Sequence, residues 1–147
     1  PLAVGMALSA KVQKKNYHCY AILGDGECNE GTIWEAAMFA AGHNIHNLTA
    51  IVDYNKWQAT GRSDNILHLS PLEKKFAAFG FETFVVDGHD FKQLSDALTE
   101  AGESSLPCAI IADTVKGKGI SFMEDDNNWH YRIPNDKELA QALEELN

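Results

Sequence analysis

The chain has 147 residues, of which 12 are Lys or Arg and 21 are Asp or Glu, for a formal net charge of −9. With 45% hydrophobic and 22% charged residues it has the composition of one folded domain able to bury a core. The acidic balance disfavours nucleic acid and anionic membrane surfaces, and no apolar run approaches the roughly 20 residues that cross a bilayer.

No secretory leader is visible. Cys19, Cys28 and Cys108 form no CxxC pair, so reduced thiols in a cytoplasmic protein are expected.

Pro1 to Ala10 reads as a helix, apolar nearly all round, with small residues that let it press against a neighbour. Lys11 to Asn16 form its polar exit. Tyr17 to Leu23 is a short apolar run ending in Gly24-Asp25-Gly26. Thr32 to Ala41 has helical spacing, with Trp34 read as core. His43 and His46 lie at its end, where imidazole meets the last carbonyls.

Leu48 to Tyr54 is the clearest strand, β-branched and unbroken. Asn55 to Ser70 shows no sustained period and reads as a loop. Pro71 opens a helix to about Ala78, and Phe81 to Val86 forms the third strand. His89 belongs to the turn before Asp90, which caps a helix carrying Phe91, Leu94 and Leu98. Pro107 precedes a strand over Ala109 to Asp113. A glycine-containing loop with Lys116 and Lys118 follows, and Asp136 is read as the cap of a last helix bearing Leu139, Leu143 and Leu146. Strands alternating with helices predict an α/β fold, a mostly parallel sheet with helices on both faces.

In such sheets ligands sit beyond the carboxyl ends of the strands, which directs attention to Gly24-Asp25-Gly26, Asp53 to Gly61, and Thr114 to Gly119. Gly24-x-Gly26 is a poor dinucleotide fingerprint, because its third glycine position is Asn29. An EF-hand loop from Asp25 fails too: the sixth position is Glu30 rather than glycine, and the twelfth is Ala36 rather than glutamate.

A third pattern pairs Asp25 with Asn55. The 28 residues between Gly26 and Asn55 hold one helix and one strand, so both sites emerge at one sheet edge on adjacent strands. A carboxylate, an amide oxygen and a backbone carbonyl from the next turn make a hard donor set. Two phosphate oxygens and a water would complete an octahedron around Mg²⁺. Read singly, Asp25 and Asn55 are ordinary turn residues.

The ordered motifs resemble the transketolase family. Gly24-Asp25-Gly26 is followed by Asn29-Glu30-Gly31-x-x-Trp34-Glu35-Ala36, then by Asn47-Leu48-x-x-Ile51-Val52-Asp53-x-Asn55. The likeness runs on through Val86-Asp87-Gly88-His89-Asp90 and Thr114-Val115-Lys116-Gly117-Lys118-Gly119 to Trp129-His130.

The resemblance implies a diphosphate-type domain over residues 1–147, with thiamine diphosphate as cofactor, anchored through Mg²⁺ or Ca²⁺. Asp25 and Asn55 match the metal-ligand side chains, and Trp57 stands where the family supplies a backbone carbonyl. Gly24 and Gly26 belong to the cofactor-binding turn, Gly26 being the glycine that contacts the diphosphate. His130 is similar to a histidine that contacts diphosphate and substrate. Glu30 falls where relatives place a carboxylate near the partner chain, and it reads equally well as a solvated loop acid.

The activity implied is transfer of a two-carbon ketol unit between sugar phosphates, with the sugar undetermined. A pyrimidine-binding domain is needed for that reaction and is absent here. The expected partner is therefore a C-terminal subunit carrying it, in a dimer of heterodimers. A chain entering mid-helix at Pro1 leads to the expectation that an N-terminal part is missing. The alternatives are another thiamine diphosphate enzyme (a deoxyxylulose-phosphate synthase relative or a 2-oxo acid dehydrogenase component) and a non-catalytic binding protein that keeps the fold.

Overall fold

The first helix, α1 (Leu2–Gln13), leads into β1 (Cys19–Gly24), α2 (Gly31–Gly42) and β2 (Leu48–Tyr54) in a computed structural model that describes residues 1–146. After β2 come a short hairpin, β3 (Trp57–Gln58) and β4 (Gly61–Arg62), and one helical turn, α3 (Ser63–Ile66). Then follow α4 (Leu72–Ala78), β5 (Glu82–Asp87), α5 (Phe91–Glu103), β6 (Cys108–Asp113) and α6 (Asp136–Glu145).

The main sheet has the order β1-β2-β6-β5, with every pair parallel. This is the α/β architecture the alternating pattern predicts.

Parallel neighbours need crossover connections, and those crossovers are right-handed. From β1 to β2 the chain steps one way along the sheet, and from β5 to β6 it steps the other way. The two crossover helices, α2 and α5, must then lie on opposite faces. β6 shows the result in its alternation: Ala109 and Ile111 join the core with α1, α2 and α4, while Cys108, Ile110 and Ala112 join the core under α5. The step reverses between β2 and β6, so a switch point opens at their carboxyl ends.

On the first face, Ala7, Ala10 and Ala40 are wholly buried, and the absence of bulk lets the helices sit close to the strands. Phe76 of α4 fills the space between Trp34, at 5.1 Å ring to ring, and Phe81, at 5.5 Å. Trp34 is thus a packing residue, as expected, and its Nε1 donates to Cys28 O at 2.8 Å.

Among the described residues, α5 covers the second face over β5 and β6. Phe91, expected on the apolar stripe of α5, is 88% exposed.

Other readings need correction. Asn55 to Ser70 is not featureless, since it contains the β3–β4 hairpin and α3. The carbonyls of His43 and Asn44 are met by Lys11 Nζ, at 2.7 and 3.1 Å, rather than by an imidazole. The cap of α6 is Asn135, not Asp136: its Oδ1 accepts from Lys137 N and Glu138 N while Glu138 reaches back to Asn135 N. The leucines of α6 are mostly exposed, and only Ala142 of that helix is buried.

Asp90 caps α5 as expected, accepting from Lys92 N at 2.8 Å and Gln93 N at 3.2 Å. The Gln93 side chain and these amides hold its carboxyl below the usual range. A carboxyl lowered by folding stabilises above its unfolded value, and that contribution disappears as pH falls through the lowered folded value. Asp90→Ala should therefore lower the urea midpoint at neutral pH by more than at pH 3, as checked by circular dichroism. Phe76→Ala should cost about 3–5 kcal/mol with an unchanged denaturant slope, since it empties a site that is 2% exposed.

Candidate functional site

β1 and β2 run in register from Cys19 opposite Leu48 to Gly24 opposite Asp53. The ladder continues one residue further, with Asp25 N donating to Asp53 O at 3.2 Å. The Asp25 side chain is therefore delivered to the turn that follows β2. It is 1% exposed, and its Oδ2 accepts from Lys56 N at 2.9 Å and from Ser63 Oγ at 2.8 Å.

Lys56 takes a left-handed backbone conformation, φ 66°, which belongs to the turn in which its amide reaches the carboxylate. Ser63, itself buried, donates its amide to Lys56 O at 3.0 Å. The hairpin is the excursion between those two contacts.

Asn55 stands next to this carboxylate turn, on the neighbouring strand end. Its Oδ1 accepts from Trp57 N at 3.0 Å and its Nδ2 donates to Asp53 Oδ2 at 3.2 Å. Asp53 also accepts from Thr114 Oγ1, across to the end of β6. The three regions expected to carry chemistry thus meet at one edge, beside the switch point. Gly26 starts a 3₁₀ turn, Gly26–Asn29. A Cβ there would lie 3.2 Å from Gln58 Cγ, so the turn tolerates no side chain without displacement of Gln58.

Burial pushes the Asp25 carboxyl up, hydrogen bonds from the Ser63 side chain and from the Lys56 and Gly26 backbone oppose that, and the Asp53 charge adds to it. Among the described residues no cationic side chain pairs with Asp25. The nearby Lys56 ammonium is instead held by Asp113 and by Thr114 O. A buried carboxylate without a cation, beside an amide oxygen with a second lone pair free, is a donor set of hard oxygens suited to Mg²⁺ or Ca²⁺ rather than zinc. Among the described residues no three His, Cys, Asp or Glu side chains gather to hold a metal by themselves. A cation here would take further oxygens from backbone, water or a bound anion. The residues fit the expected group.

The remaining expected residues are more dispersed. Glu30 occupies the N-cap position of α2, exposed and with no side-chain cap bond. His130 ends the 3₁₀ turn Asn127–His130, is exposed, and its ring meets the edge of Tyr131 at 4.6 Å. Neither side chain touches Asp25 or Asn55. Lys118 pairs with Glu124 within its own loop at 3.3 Å. His89 lies in the expected turn and also accepts Val115 N at 2.8 Å, joining the ends of β5 and β6. Cys28 is buried, and burial followed by the Asp25 and Glu27 charges pushes its thiol up to about 12, which leaves it protonated and unreactive.

Two features escaped the sequence reading. One is Ser63, which closes the hairpin on Asp25; a lone serine in an aperiodic stretch gives no signal. The other is a clamp on the loop after β6. Asp125 accepts from Trp57 Nε1 at 2.7 Å and from both guanidinium nitrogens of Arg62, whose charge also lies 3.8 Å over the Trp57 ring. Arg62 and Trp57 hold the Asp125 carboxyl down to about 2. The loop closes on itself at Gly117, φ 73°, where a Cβ would meet Met123 O at 2.5 Å.

A parallel α/β sheet gathering hard oxygen donors at its switch point defines a class of α/β domain with its ligand site beyond the carboxyl ends of the strands. Comparison with known proteins narrows the class. Residues 5–146 match the family model described as transketolase, thiamine diphosphate binding domain, and the chain belongs to the transketolase family.

An apulose-4-phosphate transketolase subunit of Actinobacillus succinogenes is 42% identical over 146 residues, covering 99% of this chain and 53% of that protein. The 6-deoxy-6-sulfo-D-fructose transketolase subunit SqwG of a Clostridium species is 45% identical over 123 residues, covering 83% of this chain and 45% of that protein. The crystal structure of transketolase from Campylobacter jejuni superposes with a TM-score of 0.92 at 30% identity, over 98% of this chain and 24% of that one. The chain thus spans about half the length of the first two proteins and about a quarter of the third. No helix among the described residues is long and apolar enough to cross a membrane.

Arg62→Ala should free the loop without unfolding the sheet. Hydrogen exchange at the amides of residues 116–130 should rise at least severalfold, while the amides of β2 and β6 keep their protection.

Proposed function

We propose that the chain is the diphosphate-anchoring part of a transketolase that transfers a two-carbon ketol unit between sugar phosphates. The observation that carries the reading is the buried Asp25 carboxylate beside Asn55 on adjacent strand ends, a hard donor set with no cationic side chain of its own. Asp25, Asn55 and the backbone carbonyl of Trp57 would hold Mg²⁺ or Ca²⁺, and Gly24 and Gly26 would line the approach of the diphosphate. Bound thiamine diphosphate supplies the electron sink for the carbon–carbon chemistry.

The chain's own tasks are binding and orientation. Metal coordination offsets the repulsion between an acidic protein and a diphosphate, and the fixed strand ends set the cofactor's position. His130 is proposed to contact the diphosphate and substrate, and Glu30 to face a partner chain. That partner would carry the pyrimidine-binding domain, in a dimer of heterodimers, with this chain contributing one diphosphate-type domain.

The relatives' names support the split arrangement, since two are called transketolase subunits. They also support a specialised sugar: one name specifies apulose 4-phosphate and the other a sulfonated fructose. A cytoplasmic setting accords with reduced, buried Cys19, Cys28 and Cys108.

The test is calorimetry of the chain with its partner, titrated with thiamine diphosphate with and without Mg²⁺. Metal-dependent binding is expected, and its absence would sink the reading. Turnover of ketose phosphates rather than pyruvate by the same pair separates it from other thiamine diphosphate enzymes. Asp25→Asn keeps both hydrogen-bond acceptor roles but removes the charge. It should melt no lower than the parent without metal, because a buried charge is gone, yet lose at least roughly tenfold in Mg²⁺-assisted affinity.

A further inference from the structure

The two oxygens of the Asp25 carboxylate are not equivalent. Oδ2 accepts Lys56 N at 2.9 Å and Ser63 Oγ at 2.8 Å. A carboxylate oxygen has about two lone-pair sites, so these donors occupy both sites of Oδ2. The Gly26 amide bonds the carboxyl as well. What is left for a further partner lies on Oδ1. The side chain is 1% exposed, and donors from three places in the chain hold its orientation.

Of these donors only the Ser63 hydroxyl belongs to a side chain, so it alone depends on residue type. The hairpin does not need that hydroxyl to close. Ser63 N donates to Lys56 O at 3.0 Å, and Leu67 N donates to Ser63 O at 3.2 Å. The neighbouring Arg62 is held separately by Asp125. Backbone closure and the hydroxyl contact are therefore separable.

We infer that Ser63 is a positioning residue for the metal site, whose hydroxyl confines Asp25 to coordination through the single oxygen Oδ1. Asn55 is confined in a similar way, since its Oδ1 already accepts Trp57 N and its Nδ2 donates to Asp53 Oδ2. Side chains that each give one oxygen suit the octahedral shell of Mg²⁺. Ca²⁺ takes roughly 6–8 oxygens and readily accepts both oxygens of one carboxylate, so occupation of Oδ2 works against it. Ser63 thus tilts the choice between the two cations toward Mg²⁺. The inference rests on the reading of Asp25, Asn55 and the Trp57 carbonyl as a metal site.

The test takes the chain with its partner, at a fixed excess of thiamine diphosphate, and titrates Mg²⁺ and Ca²⁺ separately by calorimetry. Ser63→Ala should weaken Mg²⁺ about 10-fold, as expected for loss of a group that orients a metal ligand, and Ca²⁺ by no more than about 3-fold. The Mg²⁺-to-Ca²⁺ affinity ratio falls accordingly. Ser63→Thr keeps the hydroxyl and should keep the parent ratio. A purely structural role would weaken both cations by one factor and lower the metal-free melting temperature. An unmoved ratio in Ser63→Ala overturns the inference, and so does a ratio that shifts equally in Ser63→Thr.

A second measurement needs no change at Ser63. Coordination through one oxygen widens the gap between the antisymmetric and symmetric carboxylate stretches, and coordination through two narrows it. In the infrared difference spectrum of the parent on adding Mg²⁺, the carboxylate bands absent from Asp25→Asn should show the wide gap. A narrow gap overturns the inference while leaving the metal site in place. If the parent binds neither cation in the presence of thiamine diphosphate, the metal reading itself fails, and this inference with it.

Discussion

One carboxylate oxygen organises this end of the molecule. Asp25 Oδ2 accepts a backbone amide from the turn after β2 and a hydroxyl from the first residue of α3. Those two donors tie the end of β1 to both ends of the short hairpin segment that follows β2, 31 and 38 residues further along the chain. The arrangement is possible because β1 and β2 are parallel neighbours in register, so the residue after β1 arrives beside the residues after β2. It keeps a charge out of water, and burial outweighs the hydrogen bonds in its effect on the acid. The result is a buried acid with no cationic side chain beside it among the described residues, in a chain whose family model is described as thiamine diphosphate binding.

The sheet behind that oxygen is organised by direction. Two right-handed crossovers that step opposite ways put α2 and α5 on opposite faces and leave a gap between β2 and β6 at the carboxyl edge. Asp53 spans that gap, taking the Thr114 hydroxyl from one side and the Asn55 amide from the other. The positions of Asp25 and Asn55 therefore follow from topology as much as from local turn chemistry.

Elements with a long, uniform pattern were readable from residues alone. Leu48–Tyr54 emerges with the boundaries its β-branched run suggests, and Asp90 caps α5 because an aspartate before an apolar-periodic stretch has few other uses. The pairing of Asp25 with the turn after β2 was legible from spacing, because one helix and one strand fill the interval. What stayed hidden was structure too short to have a period. β3, β4 and α3 span two, two and four residues, and they are held by Ser63 on Asp25 and Arg62 on Asp125, contacts between distant segments. The leucines of α6 misled for a different reason. Periodicity reports which face of a helix is apolar, but not whether anything in this chain covers it.

Trp57 shows how a single residue can answer to two masters through different atoms. Its backbone amide completes the Asn55 turn, a task any residue but proline performs, while its indole reaches outward to Asp125. The identity of the side chain is therefore irrelevant to the turn and decisive for the loop. Sequence drift at this position would leave the oxygen cluster at the strand ends standing and would show itself first as a change in how the downstream loop is held.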